Sequence, residues 1–135
     1  MIQNEIYEQF EIWMNDLLEQ NTMPEDTAAF CFNLYDESED DGEHIYGVQL
    51  IASDRFDSED GDWPCYEVWS SGEDIFCIDT SDEKDTGWQR AQDLVGEMVK
   101  EYLENGTHRR ILQNTKAVGI GFVDGELDLI WQAEK

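Results

Sequence analysis

Along the first twenty residues, apolar side chains recur every three or four positions: Ile2, Ile6, Phe10, Trp13, Met14, Leu17 and Leu18. That spacing stacks them on one face of an amphipathic helix, with Glu5, Glu8, Glu11 and Glu19 falling largely on other faces. Asn21-Thr22-Met23-Pro24 ends the helix, because proline cannot continue the hydrogen-bond ladder and restrains the residue before it. From Ala28 the period becomes two. Phe30, Phe32 and Leu34 share one side of a strand within Ala29–Tyr35, and Tyr46, Val48, Leu50 and Ala52 do the same within Ile45–Ala52. Residues 36–43 between them are too polar to bury and carry Gly42, so the pair reads as a hairpin with a long acidic loop.

Two shorter strands follow, Tyr66–Trp69 and Ile75–Ile78, connected tightly by Ser70-Ser71-Gly72-Glu73. A second helix begins near Asp85 or Thr86 and runs to about Asn105, with Trp88, Ala91, Val95, Met98 and Tyr102 at helical spacing. Gly96 inside it costs roughly 1 kcal/mol relative to alanine and suggests the close approach of another element. Asn105-Gly106 supplies the stop, with glycine free to turn left-handed. A closing hairpin pairs Ala117–Val123 with Leu127–Trp131 through Asp124-Gly125. The expectation is one α+β domain over residues 1–135. It has about six mostly antiparallel strands, two helices on one sheet face, and the order α-β-β-β-β-α-β-β.

Composition then narrows the class. The 135 residues hold 33 Asp and Glu against 8 Lys and Arg, a formal charge of −25. Aromatics at 12%, with 5 Trp, exceed what a disordered acidic tail carries, so the charge sits on a chain that folds. No apolar run approaches the roughly 18 residues of a membrane span, and the N-terminus lacks a secretory pattern. Cys31, Cys65 and Cys77 form no CxxC pair, which fits a reduced, cytoplasmic setting without a disulfide framework. Phosphates would be repelled, so direct nucleic-acid binding is not expected.

The charge is uneven. Residues 36–85 contain 18 acidic side chains against Arg55 and Lys84, largely in three loops at 36–43, 54–62 and 79–85. Gathered on one edge of the sheet, such loops would attract a basic partner and speed encounter; dispersed, they would only keep the chain soluble. Calcium loops of the EF-hand kind fail in both registers: Gly61 at position six puts Phe56 at position one, and Gly42 at six puts Val48 at twelve. No metal and no cofactor is expected. His44 and His108 stand without a nucleophile motif, a phosphate-cradling loop or a GxGxxG, and the chain reads as non-catalytic. Cys31 and Cys77 read as small core residues, and Gly119-Ile120-Gly121-Phe122 as a bulge or a place where a large aromatic packs on bare backbone.

The segment Asp62-Trp63-Pro64-Cys65-Tyr66-Glu67-Val68-Trp69 is the most distinctive local feature. Trp63 serves either as an exposed, rigid anchor for a partner or as core filling where loop meets sheet. The basic cluster His108-Arg109-Arg110, with Lys116, is expected to pair with the chain's own acidic loops; the alternatives are to neutralise the helix C-terminus or to support a dimer.

The leading helix, the strand at 29–35, the Trp-Pro-x-Tyr-Glu-x-Trp segment at 63–69, the Trp88-led helix and the strand Val118–Asp124 together resemble a known kind of domain. It is the small acidic bacterial domain of unknown function found among polymorphic-toxin immunity proteins. The resemblance implies a protein that covers the active site of a cognate basic toxin domain. A charge of −25 opposes self-association, though pairing through an edge strand is open, so a monomer or weak homodimer is expected. Asp57, Glu59, Asp60, Asp62 and Trp63 are the expected contact residues, with Asp40 and Asp41 as a second patch. The alternatives are a nucleic-acid mimic that blocks a DNA- or RNA-binding protein, or a small-molecule or metal role.

Overall fold

A computed structural model describes residues 4–36, 45–57, 59, 63–72, 75–79, 88–122 and 127–132. Helix α1 spans Asn4–Gln20, and strands β1 (Ala29–Asp36) and β2 (Ile45–Ser53) follow it. After a single 3-10 turn at Trp63–Cys65 come the short strands β3 (Glu67–Ser70) and β4 (Phe76–Asp79). Helices α2 (Trp88–Asn105) and α3 (Arg109–Gln113) lead into β5 (Ala117–Phe122) and β6 (Asp128–Gln132). The sequence reading missed the 3-10 turn and α3, whose three and five residues are too few for a periodic signal. The expected start of α2 near Asp85 and the turn at Asp124-Gly125 lie outside the described residues.

The fold is α+β, built on one mixed six-stranded sheet with β1 at its centre. β1 runs antiparallel to β2 and parallel to β5, while β6 closes one edge antiparallel to β5. β3 and β4 do not pair with each other. β3 lies against the end of β2 (Ile51 opposite Ser70) and β4 against its start (Ile45 opposite Asp79), so the two form one interrupted edge strand. The interruption is pinned: Ser71 N–H donates to Leu50 O at 2.9 Å, and Leu50 N–H donates to Ser71 Oγ at 3.1 Å. Gly72 turns there with φ of 60°, a conformation that glycine takes without strain.

The period-two alternation explains the layering. Phe30, Phe32, Leu34, Tyr46, Val48, Leu50, Ala52, Val118 and Ile120 face α1 and α2 and are fully or nearly buried there. Phe10 of α1 meets Phe76 of β4 edge-on at 5.5 Å and Tyr102 of α2 edge-on at 6.5 Å, tying both helices to the sheet. Ala29, Cys31, Ile51 and Ala117 point the other way, into a small second cluster closed by Trp63, Phe56 and Leu127.

Three local expectations are corrected. Among the described residues nothing lies within 4 Å of a β-carbon placed on Gly96, so none of their elements approaches it closely. Gly106 is not left-handed, since Gly72 is the positive-φ glycine among the described residues. It is required instead because a β-carbon there would stand 2.5 Å from the Tyr102 ring. Cys31 is buried as expected, but Cys77 is exposed: it sits on the helix-free side of the edge strand, where nothing in the alternation protects it.

Candidate functional site

The acidic segments do not share one place. The chain leaves the sheet at Asp36, re-enters at Ile45 and leaves again at Asp79. Register puts Asp36 opposite Tyr46 and Ile45 opposite Asp79, at one end of the sheet. β5 runs parallel to β1 and places Phe122 beside Leu34, so it finishes at that same end. The stretches that begin or finish there, 36–44, 79–87 and 123–126, carry 12 Asp and Glu against Lys84 alone. Asp40 and Asp41 belong to this group and lie outside the described residues, as does His44. Convergence of strand ends, which periodicity cannot reveal, was decided by the parallel β1–β5 pairing.

Asp57 and Glu59 follow Ser53 at the opposite end of β2, roughly 25 Å away along a nine-residue strand. Asp60 and Asp62 lie outside the described residues. Here the backbone is held from below. Buried Ser53 donates its hydroxyl proton to Trp63 O at 2.7 Å and accepts the Arg55 N–H at 3.2 Å. Asp54 N–H donates to Tyr66 O at 3.1 Å, and Glu59 N–H donates to Asp57 Oδ1 at 2.9 Å. Asp57 and Glu59 are exposed.

Trp63 is not an anchor for a partner. It is 2% exposed, meets Phe56 edge-on at 5.5 Å and packs on Gly119, so of the two readings core filling is the one realised. The glycine pair at 119 and 121 thus marks both things its pattern suggested: the Trp63 ring rests on bare backbone, and the β5–β6 register shifts between Val118 and Gly119.

Trp63, Phe56 and Tyr66 also wall a cavity of about 380 Å³ bordered by Asp54, Asp57, Arg55 and Lys116. The Arg55 guanidinium stacks over the Tyr66 ring at 4.4 Å. This end is therefore mixed in charge: two carboxylates and two cations share one cavity. The sequence reading named both cations but assigned neither to this site. Arg55 was legible as the lone cation between Asp54 and Asp57, whereas Lys116 arrives only through β5, whose first residue Ala117 pairs with Ala29.

Two members of the remaining basic cluster are engaged within the chain by described residues. His108 Nε2 lies 2.8 Å from Glu19 Oε2 of α1, and Arg109 Nη1 donates to Gly106 O at 3.0 Å beyond the C-terminus of α2. Among the described residues no group of three or more His, Cys, Asp and Glu is placed to hold a metal ion. Among them, too, no helix is long and apolar enough to cross a membrane. Comparisons of the chain with protein-family models, with curated proteins and with solved structures find no match.

Proposed function

We propose that this protein is a non-catalytic acidic binding protein of the cytoplasm that neutralises a basic toxin domain by covering its active site. The observation that carries this reading is the gathering of strand ends Asp36, Ile45, Asp79 and Phe122, from which segments with 12 carboxylates and a single lysine depart. Such a concentration of like charge opposes folding through self-repulsion and goes well beyond what solubility requires. A field of that sign steers a cationic surface to it, and the sites of nucleases, which attract phosphate, are cationic. At the other end Asp54 and Asp57 border one cavity with Arg55 and Lys116, so the field there is weaker.

The test begins with capture of partners from lysate of the source cell at low and at high salt, with identification by mass spectrometry. One basic protein, lost as salt rises, is the expected result. Its association rate is then compared for two variants, one with the carboxylates of 36–44 changed to Asn and Gln, the other with Asp57, Glu59, Asp60 and Asp62 so changed. The first should associate at least tenfold more slowly, with a flatter salt dependence; the second should change less. Equal rates for wild type and both variants would overturn the reading. Recovery of several nucleic-acid-binding proteins, each displaced by DNA or RNA, would identify a nucleic-acid mimic instead.

A further inference from the structure

The cavity of about 380 Å³ lies at the end of the sheet where β1 and β5 begin, and its backbone is braced on every side. Lys116 N–H donates to Ala28 O at 2.7 Å, and Ala28 N–H donates to Ser53 O at 2.7 Å. Ser53 Oγ accepts the Arg55 N–H at 3.2 Å, while Tyr66 N–H donates to Trp63 O at 3.1 Å and Tyr66 O accepts the Asp54 N–H. One hydrogen-bonded frame therefore carries Lys116, Arg55, Asp54 and Tyr66. Trp63, buried beneath, meets the Phe56 ring edge-on and fixes that wall.

Three kinds of side chain stand on this frame. Arg55 and Lys116 are cations, Asp54 and Asp57 are carboxylates, and Phe56 and Tyr66 offer rings. All four charged residues are exposed, so a bound molecule can reach them. Among the described residues no ion pair joins the four, and the Arg55 guanidinium lies instead over the Tyr66 ring.

Charge narrows the ligand by elimination. A simple cation meets Arg55 and Lys116 at short range. A simple anion meets Asp54 and Asp57, and must also approach a chain of net charge −25. A molecule that carries both charges and no net charge avoids both penalties, because its two ends find opposite partners. The rings add an apolar contact for a planar side chain. The volume falls at the small end of small-molecule sites, which run from about 300 to 1,000 Å³. We infer that this cavity binds a free aromatic amino acid. Its carboxylate faces Arg55 and Lys116, its ammonium faces Asp54 and Asp57, and its ring lies against Phe56 and Tyr66.

The inference stands apart from the toxin-binding reading and needs no protein partner. Four probes separate the three contacts: tryptophan, tryptamine without the carboxylate, indole-3-propionate without the ammonium, and glycine without the ring. Each is titrated into isotope-labelled protein at low salt and followed by amide chemical shifts. Tryptophan should give saturating shifts focused on Asp54 to Asp57, Tyr66 and Lys116. It should bind at least fivefold more tightly than any other probe. Lys116→Gln and Asp57→Asn change exposed side chains and leave the backbone frame in place. Lys116→Gln should weaken tryptophan at least threefold and spare tryptamine, whereas Asp57→Asn should weaken both. Tryptamine binding as tightly as tryptophan would reduce the effect to attraction of a cation by an acidic chain, and would overturn the inference. So would shifts without a focus at the cavity, no shifts up to the solubility limit of tryptophan, or an affinity unchanged in both variants. None of these outcomes bears on capture of a basic protein, which is a separate experiment.

Discussion

The indole edge of Trp63 stands 3.2 Å from the position that a β-carbon on Gly119 would occupy, so a glycine on β5 and a tryptophan 56 residues earlier form one packing unit. Leu127 Cδ1, at 3.1 Å, and Asp128 O, at 3.4 Å, close the remaining space. This contact seals the helix-free face at the end where Ser53 holds the Trp63 carbonyl.

Gly119→Val should therefore destabilise the protein by about 1–3 kcal/mol through overpacking. In a Trp63→Leu background the same change should cost less, because the neighbour that it strikes is smaller. Urea denaturation of the four proteins measures this; strict additivity would contradict the contact.

Two glycines in or beside α2 should respond in opposite ways to the same substitution. Gly96→Ala meets open space and should stabilise by about 0.5–1 kcal/mol. Gly106→Ala drives a methyl group into the Tyr102 ring at 2.5 Å and should destabilise by about 1–3 kcal/mol. Thermal unfolding of both variants is the check, and the same sign for both would refute the assignment.

Tyr102 joins three elements: its hydroxyl donates to Asn15 Oδ1 at 2.7 Å and accepts the His108 N–H at 3.1 Å. Tyr102→Phe leaves both partners short of a bond and should cost about 1–3 kcal/mol. Hydrogen exchange at His108 should accelerate in the variant; unchanged exchange there would argue against the bond.

Alkaline pH should weaken the fold. Burial pushes the Cys31 thiol up from 9.0 to about 12. The Tyr102 phenol is pushed from 10.0 to about 12, chiefly by burial, with the His108 N–H opposing and Glu11 and Glu19 adding to the rise. Both groups hold protons more tightly folded than unfolded. Their contribution is thus complete below about pH 9 and is lost as pH climbs from there towards 12. Each group that ionises only in the unfolded chain lowers stability by about 1.4 kcal/mol per pH unit. Urea midpoints measured from pH 8 upward should fall, and Cys31→Ala should remove the part that starts near 9; a level midpoint would exclude the effect.

The same burial separates the thiols chemically. Cys77, exposed on the edge strand, should alkylate rapidly in the native protein, whereas Cys31, 1% exposed, should react only after unfolding. Peptide mapping after iodoacetamide treatment distinguishes them, and comparable labelling of both would contradict the burial of Cys31.

The local code was legible where one face of an element decides its burial. The three-and-four spacing of Phe10, Trp13, Met14, Leu17 and Leu18, and the alternation of Phe30, Phe32 and Leu34 with Tyr46, Val48 and Leu50, identify α1, β1, β2 and the sides they bury. Periodicity suffices there because a face either meets the core or does not. The parallel pairing of β1 with β5, the end-to-end run of β3 and β4 along β2, and the burial of Trp63 were decided only by tertiary structure. Each depends on contacts between residues distant in the chain, which no local window contains. The same reason governs the candidate site. Sequence counts the carboxylates, but only strand order divides them between two ends of a sheet, leaving Asp57 among cations and Asp40 in a segment that springs from the acidic end.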